Sequence, residues 1–229
     1  MAPGGSIRIR PHVVFIGCPW KTIRPKYERI FAKKTFRRRN PLLFVIVGRD
    51  GNQRAEDLFA EIKRQIDSSS CAIFDVSGGN ANVSLEFGYA QGLEVQSYVF
   101  VNEHKKFETD RKPNAAIISD LSGVRRNPYK NEQTLEKLIR QFADQHEYTL
   151  RVAKIASKHR LTAGEKAALM SVPRAFADFT RMRRADLRQK VKAESGYGDE
   201  VVGKAIDIAR RNKLIRISVG QHGYTTLRE

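Results

Sequence analysis

The sequence predicts an α/β protein: a doubly wound parallel sheet over residues 11–150, followed by a smaller domain of helices and a terminal hairpin. Three observations carry this. Short, continuous apolar runs alternate with stretches of helical periodicity through the first two thirds of the chain. Such runs suit strands buried on both faces, hence a parallel sheet covered by helices on each side. Beyond residue 160 the alternation stops, and short helices give way to two β-branched runs joined by Gly220-Gln221-His222-Gly223.

The elements follow in order. Val13, Val14, Phe15 and Ile16 form a buried strand that ends in Gly17-Cys18-Pro19-Trp20, a tight turn. Pro25 suits the first turn of the next helix, with Tyr27, Ile30 and Phe31 on its inner face. Residues 42–47 are a second strand, closed by Gly48. Leu58, Phe59, Ile62 and Ile66 mark a helix over 55–67. Residues 71–76 are the third strand and 82–93 its helix, and 98–101 and 115–118 are the fourth and fifth strands. Leu135, Leu138, Ile139 and Phe142 give the last helix of this domain, to about His146. Right-handed crossovers between these strands produce the double winding. Residues 1–10 are expected to be a flexible N-terminus and 151–160 a linker.

In the second domain, 161–229, Thr162 and Glu165 have the spacing of a capping box. Pro173 interrupts that helix. Leu187 and Val191 point inward from a helix over 185–194. Asp199 caps another, with Val202, Ile206 and Ala209 inward. Residues 214–219 and 224–227 form the hairpin. Helix, helix, then hairpin is the order of a winged helix.

Composition narrows the function classes. Net charge is +17, unevenly spread. Residues 1–40 hold eleven Lys/Arg against one acid, and 151–229 hold eighteen against eight, whereas the middle is slightly acidic. Basic ends on an ordinary centre point to a polyanion partner, most simply nucleic acid. No apolar run approaches the roughly 20 residues of a membrane span, and residues 1–10 lack a secretory pattern, so no membrane partner is expected. Two cysteines, Cys18 and Cys71, are too few for a disulfide framework, which suits a reduced, cytoplasmic setting. The five histidines are scattered, so no metal is assigned.

The candidate site lies at residues 71–93. The strand ends in Asp75, the loop Ser77-Gly78-Gly79 follows, and Asn80 or Asn82 opens a helix with one acid, Glu86. In an open α/β sheet this junction lies at the carboxyl edge, where ligands bind. Helical spacing puts Val83, Phe87 and Ala90 toward the sheet and Asn82, Glu86 and Tyr89 on another face. Unhindered N–H groups of Ser77, Gly78 and Gly79 beside a helix N-terminus form an anion cradle. Asp75 either contacts a ribose hydroxyl or accepts from its own loop. Gly17, Cys18 and Trp20 sit at the end of the first strand. Trp20 and Tyr89 are candidates to stack on a base or to pack.

The string from Phe74 to Ala90, with Asp75-Val76-Ser77, Asn80-Ala81-Asn82-Val83 and Glu86-Phe87-Gly88-Tyr89-Ala90, resembles the bacterial TIR-like nucleotide-binding domains and the related nucleoside 2-deoxyribosyltransferases. The resemblance extends over 12–146, more loosely at Asp120-Leu121-Ser122-Gly123 and Tyr129. It implies a flavodoxin-like fold, nucleotide binding at Gly17, Cys18, Trp20, Asp75, Ser77, Gly78, Gly79, Asn82 and Tyr89, and Glu86 as the carboxylate of N-glycosidic bond cleavage. NAD is the implied substrate or ligand, with no further cofactor, and a homo-oligomer is expected. Two departures stand out: Phe87 where leucine is common, and the Gly78-Gly79 pair.

Residues 186–227 resemble winged-helix domains. That resemblance places 199–212 as the recognition helix and assigns nucleic-acid contact to Lys204, Arg210, Arg211, Arg216 and His222. Residues 33–39, Lys-Lys-Thr-Phe-Arg-Arg-Arg, are a second phosphate-binding candidate or a solvated helix end. By analogy, the combination suits a bacterial defence effector. Rival readings are a nucleotide-responsive DNA-binding regulator without turnover, a deoxyribosyltransferase, and an assembly scaffold.

Overall fold

A computed structural model describes residues 10–48, 55–104, 126–176, 181–217 and 224–227. The chain divides into two units, 1–30 with 44–139 and 31–43 with 140–229.

In the first unit, the apolar runs become β1 (Arg10–Gly17), β2 (Leu43–Val45), β3 (Ser69–Asp75) and β4 (Ser97–Asn102), and β5 is Arg126–Tyr129. The helices between them are α1 (Arg24–Ala32), α3 (Ala55–Ser68) and α4 (Ala81–Gly92), and α5 (Glu132–Gln145) follows β5. The five strands lie in the order β2-β1-β3-β4-β5. β1 pairs β3, β3 pairs β4 and β4 pairs β5, all parallel. The result is an α/β fold with a five-stranded parallel sheet, and 2-1-3-4-5 is the flavodoxin-like order. The expected fifth strand at 115–118 lies outside the described residues.

The central strands are buried on both faces, as continuous apolar runs require. Phe15, Ala72, Phe74 and Val99 from the sheet pack with Ile66 of α3 and with Val83, Phe87 and Ala90 of α4. Phe74 meets Phe87 edge-to-face at 5.4 Å between ring centroids, a favoured aromatic geometry. The inward face expected of α4 is thus the face observed. Its N-cap is Asn80, whose side chain accepts from the N–H groups of Asn82 and Val83.

The second unit holds α2 (Lys34–Arg39), α6 (Glu147–Lys158), α7 (Ala163–Ser171), α8 (Arg184–Ser195) and α9 (Asp199–Arg211). Strands β6 (Arg181–Arg183), β7 (Ile215–Ile217) and β8 (Tyr224–Leu227) form an antiparallel sheet in the order β6-β8-β7. Thr162 and Glu165 make the expected capping box at α7. Two expectations about organisation change. The expected linker at 151–160 is helical through Lys158, because Tyr148, Val152, Ile155 and Ala156 form a buried stripe beneath its polar face. The basic run 33–39 belongs to this second unit. Phe36 is buried with the Arg140 guanidinium 5.2 Å from its ring, and Arg37 pairs with Glu194 at 2.5 Å. Glu194 also meets buried Arg174 at 3.3 Å. Part of the run is therefore core and ion pair.

Three helices end in the same way. Glu94 after α4, Arg160 after α6 and Lys213 after α9 adopt φ of 57°, 48° and 59°. At each, the next residue's N–H bonds back into the last turn: Val95 to Ala90, Leu161 to Ala156 and Leu214 to Ala209. These are Schellman closures with a charged residue where glycine is usual.

Candidate functional site

The parallel order puts the carboxyl ends of β1 and β3 side by side, with Gly17 paired to Phe74. This is the point at which the strand order reverses, where such sheets bind ligands. α4 begins one loop beyond β3. Gly78 and Gly79 both have positive φ, 76° and 66°, a pair of left-handed residues that glycine adopts without penalty. They turn the chain so that α4 runs back over the sheet. Val83 and Phe87 anchor it there, and Glu86, on the flank between them, is half-buried.

The Glu86 carboxylate lies against β1. A methyl group on Gly17 would stand 2.5 Å from Glu86 Oε2 and 2.7 Å from Phe74 Cδ1. Only a residue without a side chain leaves this space, so Gly17 is a positioning residue for Glu86. Burial pushes the Glu86 carboxyl up to about 7, because water is removed from the charged form and no cation among the described residues replaces it. Gly17→Ala is therefore expected to cost about 2 kcal/mol. It should also turn Glu86 out to solvent and return its pKa to the ordinary carboxylate range, read by carboxyl-carbon NMR titration.

Asp75 is the opposite kind of acid. It is fully buried, and both its oxygens are occupied. Oδ1 accepts from the Ser77 N–H at 3.1 Å and the Ser77 hydroxyl at 2.5 Å. Oδ2 accepts from the Tyr27 hydroxyl at 3.1 Å and the Tyr129 hydroxyl at 2.8 Å. Ser77 Oγ in turn accepts from the Asn102 N–H at 2.7 Å. Burial raises the Asp75 pKa while these donors pull it down. The same burial, with Asp75 beside them, raises both tyrosines. The network ties the ends of β3, β4 and β5 to α1 and fixes the first turn of the glycine loop.

Of the residues expected at a ligand, the structure gathers Gly17, Cys18, Glu86 and the loop glycines at the β1/β3 edge. Asp75 takes the second of its two expected roles: it accepts from the Ser77 N–H and hydroxyl inside the protein, and the pair shapes the loop. Cys18 is held as the thiol by burial, then by Asp75 and Glu86, which removes nucleophilic character. Asn82 is exposed, one turn before Glu86. Tyr89 donates to Asp67 of α3 at 2.9 Å, which engages its hydroxyl in helix packing. Trp20 is 41% exposed and carries the Arg24 guanidinium 3.7 Å from its ring centroid. A side chain on Gly48 would overlap both. Tyr27, Asn102 and Arg24 escaped the sequence reading as site residues. Tyr27 was legible only as a core residue, and a polar residue closing an apolar strand was the available sign for Asn102.

No family model, curated protein or solved structure matches this chain. The site is therefore read from its own chemistry. Among the described residues, no cluster of three His, Cys, Asp or Glu could hold a metal ion, and no helix is long and apolar enough to cross a membrane.

In the second unit, Lys204 is paired to Glu165, whereas Arg210, Arg211 and Arg216 are exposed. His222 lies outside the described residues.

Proposed function

We propose that the first unit is a TIR-like nucleotide-binding domain that cleaves the N-glycosidic bond of NAD, with Glu86 as the catalytic carboxylate. The observation that carries the reading is a single desolvated carboxylate, without a countercharge among the described residues, at the switch point of a parallel sheet. Perturbed acids in such places are functional candidates. Cleavage builds positive charge at C1′ of the ribose, and a poorly solvated carboxylate beneath it stabilises that charge. The C1′–N bond breaks with its electron pair going to nicotinamide, which leaves neutral. Water then bonds to C1′, and its proton passes to Glu86 and on to solvent. No leaving-group acid is needed, which suits a site whose second acid, Asp75, is saturated by internal donors. A deoxynucleoside substrate would need that acid.

The second unit is proposed as a winged-helix module that contacts nucleic acid. Support comes from the succession α7, β6, α8, α9, β7, β8 and the sheet order β6-β8-β7, together with the basic charge of this part of the chain.

The test is nicotinamide release from NAD by the full chain, with and without duplex DNA. Wild type is expected to turn over with a rate that rises with pH and levels off above about 7, since the ionised form of Glu86 is the working one. Glu86→Gln should lower kcat at least a hundredfold while the circular dichroism spectrum is unchanged, on the scale of losing a principal electrostatic stabiliser. Equal turnover by the variant removes the catalytic role. Base exchange between deoxynucleosides would move the assignment to a transferase.

A further inference from the structure

Building on the nucleic-acid part of that reading, we propose that the second unit holds duplex DNA by its phosphates at a cationic platform where α6 and α9 end side by side, and not by the outer face of α9.

The outer face of α9 is already neutralised. Asp199 accepts from Lys192 at 2.8 Å and lies 3.5 Å from Arg188. Asp207 accepts from Arg184 at 2.9 Å. Glu200 adds a further acid to the first turn, and Lys204 is taken by Glu165. An expected recognition helix that opens on two acids repels a phosphate backbone at the end that would enter a groove.

The other end of α9 differs. Its cap residue Asn212 bonds His159, the cap residue of α6, with Nδ2 3.0 Å from Nε2. Arg151 of α6 donates to the Lys213 carbonyl at 3.3 Å. These bonds bring Lys158 and Arg160 of one terminus beside Arg210, Arg211 and Lys213 of the other. All five are exposed, and none has a carboxylate partner among the described residues. Two helix C-termini carry roughly half a negative charge each, so dipole complementarity accounts for about one of the five cations. The surplus is free to meet an external anion.

The chemistry favours phosphates over base edges. Helix C-termini present carbonyls rather than N–H groups, and the Asn212 amide is engaged by His159 and the Ile208 carbonyl. What remains are long cationic side chains, which position a backbone without reading sequence. An anionic membrane surface would also call for apolar anchors. The apolar residues here, Leu161 and Leu214, follow the caps and turn inward, Leu214 completely.

The two left-handed residues supply a variant that cannot fail by unfolding. Arg160→Gly with Lys213→Gly removes two cations at positions where glycine is the least strained residue. Binding of the full chain to a labelled mixed-sequence duplex of about two helical turns is followed by fluorescence anisotropy across a salt series. The double variant is expected to bind about tenfold more weakly at moderate salt, and its slope of log K against log salt should fall by about 1.8, two phosphate contacts' worth. Lys204→Ala should leave both quantities unchanged. The proposal is overturned if the double variant keeps the wild-type affinity and slope, or if Lys204→Ala costs more than the double variant. It is also overturned if wild type prefers phosphatidylserine vesicles to the duplex and the double variant loses that binding instead. If wild type binds no duplex even at low salt, the nucleic-acid reading itself falls, and the platform with it.

Discussion

Glu86→Gln is expected to stabilise the first unit above neutral pH while removing its proposed activity. The reason is linkage. The Glu86 carboxyl titrates near 4.5 when free and near 7 in the fold. Between those values the folded chain holds a proton that the unfolded chain has released. Stability therefore falls as pH rises through the window, and the full penalty is present above about 7. A shift of this size corresponds to about 3 kcal/mol at most. Glutamine has nearly the same shape and no charge to desolvate, so it escapes the penalty. Urea unfolding followed by the fluorescence of Trp20, the single tryptophan, should show the variant more stable at pH 8 by about 2–3 kcal/mol. The difference should shrink as pH is lowered and be absent near 4.5. A variant less stable than wild type at pH 8 would mean that the carboxylate is well solvated, and the electrostatic basis of the site would be gone.

Asp75→Ala has the largest expected cost. It leaves the Tyr27 and Tyr129 hydroxyls and both Ser77 donors without the acceptor they share. Each orphaned buried donor costs on the order of 1 kcal/mol or more, and the small cavity adds to it. A loss of about 4 kcal/mol is expected, a large share of a domain's whole stability. Asp75→Asn keeps the volume and one oxygen, and should lose about half as much. Tyr27→Phe and Tyr129→Phe each remove a single hydrogen bond and should cost about 1 kcal/mol. The pattern separates a shared acceptor from a simple packing role: if Asp75→Ala costs no more than either tyrosine variant, the four-donor network is not what holds the loop. The same variants test the internal role of Asp75, since Tyr129→Phe should leave nicotinamide release largely intact if Asp75 acts only through the loop.

Much of the first unit was legible locally. The strands at 13–16, 71–76 and 98–101 were apolar runs, and the helices over 55–67 and 82–93 had clean inward stripes. Val83, Phe87 and Ala90 as the buried face followed from spacing alone, whereas the cap stayed open between Asn80 and Asn82. The second unit was read less well. Lys154–His159 looked like a polar boundary because its charges are dense. Yet Tyr148, Val152, Ile155 and Ala156 carried a helical stripe beneath them, and the period outweighed the polarity. The run 33–39 read as a phosphate-binding candidate or a solvated helix end, and only its distant partner Glu194 shows why Arg37 is there.

What the amino-acid order determined by itself were the features set within one turn of helix or one strand: alternation of elements, the Thr162–Glu165 capping box, inward faces, and the presence of one acid on α4; the expected cap Asp199 is instead the first residue of α9, after Gly198. Tertiary structure alone decided that Glu86 rests on Gly17, that Asp75 is sealed by tyrosines from α1 and β5, and that α6 and α9 finish together in a group of cations with no carboxylate partner among the described residues. The division is physical. Periodicity and capping depend on neighbours three or four residues away, whereas desolvation and charge pairing depend on which distant segments the crossovers bring into contact.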